Sequence, residues 1–158
     1  MDGNLMEQFR ERRKALSESR ETYISIPGYS EIGLACKYRL LDGKELNEIV
    51  KKVRKQYQDE VDRGIFTAID TMLAASLGLY IQQNGDFVSL DPEGRGEPYG
   101  YEPALATFIG DPEADTGRKV VISLFGGNDA ALAMHNFKLN RWFQDTTRDA
   151  NEELLGEV

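Results

Sequence analysis

His135 is the only histidine among the 158 residues, and histidine alone has an ordinary pKa near neutrality, so general acid–base chemistry at physiological pH would start there. A catalytic base needs an orienting partner, and a metal needs companion ligands. Neither a second histidine at helical spacing nor a cysteine cluster is present to supply them. On a helix His135 falls instead in the stripe Ala131, Leu132, His135, Leu139, Trp142 and Phe143, a face that must be buried. The spacing therefore assigns it packing and a hydrogen bond. Cys36 is the single cysteine, which excludes an internal disulfide framework and any multi-cysteine metal site; it reads as a small apolar strand residue. The carboxylate pairs Asp59/Asp62, Asp111/Glu113 and Glu152/Glu153 lie in polar stretches where no desolvation can raise a pKa. Ser76, Ser89 and Ser123 lack the nucleophile elbow G-x-S-x-G. The glycine-rich stretch from Asp91 to Gly100, DPEGRGEPYG, has neither a following Lys-Ser/Thr nor G-x-G-x-x-G, so it is a connector and not a phosphate loop. These residue types give no positive argument for an enzyme, and none for a cofactor or a metal.

The elements that must position these residues read as one domain, since the length suits a single core. Lys and Arg total 19 against 27 Asp and Glu, a formal charge of −8, which would repel a phosphate backbone or an anionic membrane. The basic run Arg10 to Lys14 is interleaved with glutamates and reads as a solvated helix face. No segment resembles a secretory signal or a membrane span, so the expected compartment is a cytoplasm, with neither nucleic acid nor membrane as partner.

The fold class expected is α+β, mostly helical, with a small antiparallel β-sheet. Residues 1–20 form a helical arm that can start at Asn4, with Glu7 reaching back to the cap and only Leu5, Met6, Phe9 and Leu16 as an apolar stripe. From Thr22 the period changes to two, in TYISI and, after the Pro27-Gly28 turn, in EIGLACKYRLL. There Ile32, Leu34, Cys36, Tyr38 and Leu40 share one face, and the two runs pair as a hairpin. Asp42 with Glu45 forms a capping box that opens a helix over 43–58, whose Lys51, Lys52, Arg54 and Lys55 line a solvated side. After a polar break at Gln58 to Gly64, a second helix spans 64–77. Asn84-Gly85 then fits a type I′ turn in a second hairpin over 79–90. Pro103 sits in the first turn of a short helix that ends at Gly110. Two further helices meet at Gly126-Gly127, the latter covering 128–144. The single globular domain runs over 21–146, followed by an acidic tail at 147–158.

Met134 and Phe137 lie off the buried stripe, so the last helix is apolar over more than a third of its circumference. Such a helix is either central or touches another chain. With the thin arm stripe, this favours binding and assembly over catalysis, and the residues expected at the partner interface are Phe9, Leu16, Met134, Phe137, Lys138 and Arg141.

Four blocks in order, YRLLDGKELNEI, LAASLGLYIQQNGD, GYEPALATFIG and VVISLFGGNDAALAMHNFKLNRWFQDTTRDANEELLGE, resemble the tail assembly chaperones of long-tailed phages that infect actinobacteria. The resemblance covers roughly residues 22–158 and keeps the family pattern at Gly110, Trp142, Leu154, Leu155 and Gly156. It implies a small non-enzymatic protein that holds the tape measure protein soluble until tail tube subunits polymerise around it. It also implies residence in the host bacterial cytoplasm and absence from the mature virion. Such families are commonly made in a short form and a frameshifted longer form. The ending LLGEV fits the short form, with a slippage site expected at the Gly156-Glu157 codons. Self-association, as a ring or a helical coat, is compatible with this reading. The alternatives are a phage structural subunit, such as a tail-completion or head-to-tail joining protein, and a small enzyme.

Overall fold

A computed structural model describes residues 2–156, including all side chains in that range except those of residues 2, 153, 154 and 156. The side chain of Leu154 and the Gly156-Glu157 junction lie outside the described residues. The architecture is α+β and mostly helical. The described elements are α1 (Asp2–Glu18), β1 (Glu21–Ser25), β2 (Leu34–Arg39), α2 (Gly43–Gln56), α3 (Glu60–Ala75), β3 (Ser76–Gln83), β4 (Asp86–Ser89), α4 (Pro103–Phe108), α5 (Gly117–Leu124) and α6 (Asp129–Gly156). The strands form a single antiparallel sheet in the order β1-β2-β3-β4.

Local chemistry explains most of the boundaries. The Asp42 side chain accepts from the Glu45 amide and the Glu45 side chain accepts from the Asp42 amide, completing the capping box at the start of α2. Asn84 and Gly85, at φ 53° and 85°, turn β3 into β4 with both central residues left-handed, as a type I′ hairpin demands. Gly126 and Gly127, also left-handed, separate α5 from α6.

One face of the sheet makes the core. Ile24, Leu34, Cys36, Tyr38 and Leu79 project into it and meet Ile69 and Met72 of α3, Leu105 of α4, Val120 and Leu124 of α5, and Leu132, Leu139 and Phe143 of α6. Arg118 of α5 ties the helical layer together: its guanidinium donates to both Asp70 carboxylate oxygens of α3, at 2.8 and 2.7 Å, and to Gln56 Oε1 of α2 at 2.8 Å. The other face is not bare. Tyr23 of β1 stacks on Phe87 of β4 at 3.9 Å between ring centroids and meets Tyr80 of β3 edge-on at 5.2 Å. Lys37 lies over both tyrosine rings. Ala35, on this outward face, is 1% exposed.

Several expected boundaries are corrected. Asn4 does not cap α1, which already includes Asp2 and Gly3; one exposed helical glycine costs only about 1 kcal/mol relative to alanine, too little to delay the start. Ile32 is not a core strand residue. It is 53% exposed, because residues 29–33 form turns closed by Ile32 N–H to Tyr29 O and Gly33 N–H to Ser30 O. The second helix begins at Glu60, capped by Asp59, which accepts from the Asp62 amide. It ends at Ala75, so Ser76 and Leu77 open β3 instead. Gly78 forces that change, with φ 124° and Pro98 where a Cβ would point. Residues 147–156 are not a separate tail but the continuation of α6, which runs 28 residues. No glycine or proline interrupts 129–155, and Arg148 pairs with Asp145 one turn earlier at 3.4 Å, which together favour propagation.

Candidate interaction surfaces

The stripe Leu132, His135, Leu139 and Phe143 seats α6 on the core, with Ala131 and Trp142 half-buried beside it. His135 is 1% exposed, and its Nδ1 lies 3.1 Å from the Ser25 carbonyl of β1. A carbonyl can only accept, so Nδ1 carries the proton and Nε2 is an acceptor. The Tyr38 hydroxyl therefore donates to Nε2 at 2.7 Å, and Tyr101 donates to Tyr38 at 2.7 Å. Burial lowers the His135 pKa to about 4, aided by the Lys138 charge and opposed by the Ser25 hydrogen bond. Burial likewise pushes Tyr38 and Tyr101 well above the ordinary phenol, and raises the Cys36 thiol against its contact with Ser76. At neutral pH all of these groups are uncharged and hydrogen-bonded. With Tyr38 and Cys36 at 0% and Tyr101 at 7% exposure, the chain of hydroxyls is sealed from any substrate. It works as a polar rivet between sheet and helix.

The six residues expected at an interface are all exposed. Met134 is 57% and Phe137 59% accessible, and Lys138 and Arg141 lie beside them on the outer side of α6. Arg141 reaches Asp145 only at 4.0 Å. Phe9 is 69% and Leu16 45% accessible on α1, where Leu5 and Met6 are each 55% exposed. Every residue from 3 to 20 is exposed, so α1 leaves the domain as a projecting arm whose base rests near β1. The structure does not bring the arm and the outer face of α6 together. They are two separate surfaces.

Beside the α6 patch lies a groove that sequence reasoning missed. Val61, Gly64, Ile65 and Ala68 of α3 face Leu132, Ala133, Asn136 and Phe137 of α6 across a hollow of about 410 Å³, with Glu60, Asp129 and Asn140 at its margins. Val61 is 67% exposed. The available signal was Asp59, an Asx residue three before Asp62, which marks a helix start within what read as a polar break. The aromatic cluster Tyr23, Tyr80 and Phe87 was also missed, because only the β-register brings it together. Among the described residues no group of three or more His, Cys, Asp or Glu side chains could hold a metal, and no helix is long and apolar enough to cross a membrane. Compared with protein-family models, curated proteins and solved structures, the chain matches none of them.

Proposed function

We propose that this chain is a tail assembly chaperone of a long-tailed phage, which binds the tape measure protein and keeps it soluble while the tail tube polymerises. One observation carries the reading: two helix faces, Phe9 and Leu16 on α1 and Met134 and Phe137 on α6, stand open to water on a domain whose core is already closed. Exposed large side chains grouped on helix faces suit the capture of another helix. The tape measure protein is expected to be long, helical and aggregation-prone, the partner such faces would serve. Lys138 and Arg141 flank Met134 and Phe137 and would supply the polar rim usual at interfaces. The four sequence blocks that resemble tail assembly chaperones support the same assignment. The chaperone acts in the host cytoplasm and leaves before the virion is complete.

The test is co-expression with the tape measure protein encoded beside it. The expected result is that the partner moves from the pellet to the soluble fraction and co-purifies. A tape measure protein that stays insoluble, or mass spectrometry finding this chain in purified virions, would refute the reading; the second result would favour a resident structural subunit.

A further inference from the structure

The arm is a helix without a groove, and the α3–α6 hollow is a groove without a helix. We propose that the groove receives α1 of a second copy of this chain, so that each copy lends one arm and accepts another.

Three features of the two surfaces match. The first is charge. Arg10 to Lys14 carries four positive charges and one negative, and Arg10 and Arg13 border the stripe Leu5, Met6, Phe9 and Leu16. The charged side chains on the groove are Glu60 and Asp129, both acidic. The second is length. Leu5 and Leu16 lie 11 residues apart, as do Asp129 and Asn140, which is about 17 Å along each helix axis. The third is the floor, where Gly64, Ala68 and Ala133 let a helix approach closely while Val61 and Phe137 grip its sides.

A 17-residue helix whose residues 3–18 are all exposed is marginal in water, so docking also accounts for its order. Arm and groove share no residue, and the contact can therefore repeat from copy to copy, closing as a reciprocal pair or ring or extending as a helical coat. Met134, Lys138 and Arg141 do not line the groove and stay open to a different partner. Phe9, Leu16 and Phe137 belong both to this contact and to the faces proposed for the tape measure protein, so the two partners would compete for them. Sedimentation of this chain alone reads self-association in the absence of the tape measure protein, and the two readings can be told apart.

The experiment is sedimentation of the full chain and two charge-reversed variants, Arg10→Glu with Arg13→Glu on the arm and Glu60→Lys with Asp129→Lys on the groove. All four sites are exposed, and circular dichroism checks that each variant keeps its helix content. The wild-type chain is expected to sediment as an oligomer that weakens as salt is raised. Each variant alone should associate about tenfold more weakly or worse. An equimolar mixture should recover association, because the acidic arm of one variant then meets the basic groove of the other, and the unchanged arm meets the unchanged groove. A wild-type chain that stays monomeric overturns the proposal. So does a variant that associates like the wild type, or a mixture that does not recover.

Discussion

Lowering the pH from 7 to 5 should cost the fold about 2 kcal/mol through His135 alone. In the unfolded chain this imidazole titrates near 6.5. In the fold its pKa is lowered to about 4, burial being the main cause. A depressed histidine binds a proton more readily unfolded than folded, so its contribution to stability is intact above pH 6.5 and drains away as the pH falls toward 4. The full gap between the two values is worth about 3.4 kcal/mol at 1.36 kcal/mol per pH unit, and a little over half of it develops between pH 7 and pH 5. Protonation also turns Nε2 from an acceptor into a donor, so the Tyr38 hydroxyl must reverse, accepting from Nε2 and donating to Tyr101. The assay is urea unfolding at pH 7 and pH 5 of the wild type and of His135→Gln, a variant with nothing to titrate at that site. The carboxylates held low by partners, Glu45 beside Arg39, Glu102 beside Arg95 and Asp115 beside Lys119, lose stability on acidification equally in both proteins. The difference between the two pH dependences therefore isolates His135. If wild type and variant lose the same stability between pH 7 and pH 5, the imidazole is not held neutral in the core and the reasoning is wrong.

Two further outcomes follow from the packing. Gly78→Ala should destabilise by roughly 1–3 kcal/mol in chemical denaturation, because the added Cβ would lie 2.6 Å from Pro98 Cγ at φ 124°; a neutral result would mean that the Pro98 loop yields freely. Met134→Asp with Phe137→Asp should leave the unfolding free energy within about 1 kcal/mol of wild type, as expected for two exposed sites, while abolishing co-purification of the tape measure protein; a variant that unfolds would place these side chains in the core.

Features fixed by a few adjacent residues were legible from the sequence. Asp42 with Glu45 marked the start of α2, Asn84-Gly85 the β3–β4 turn, and the double glycine at 126–127 the break before α6. The spacing around His135 identified a buried face, and its partners on Ser25 and Tyr38 satisfy the hydrogen bond assigned to it. What escaped depends on geometry that no short window contains. Alternation across Ile32 looked like a continued strand, yet left-handed Gly33 at φ 66° turns the chain there. Helical spacing ran on through Ser76 and Leu77, but Gly78 and Pro98, 20 residues apart in sequence, determine the switch to β3. The arm and the outer face of α6 could be named as exposed, whereas the groove beside Phe137 required knowing that α3 lies against α6.

The ring stack on the outward side of the sheet bears on how rigidly its two border strands are held relative to each other. Tyr23 belongs to one border strand and Phe87 to the other, so a single aromatic clasp reaches across the whole width of the sheet, with Tyr80 beneath it as a brace. Any rearrangement that moves β1 away from β4 would have to part those rings first.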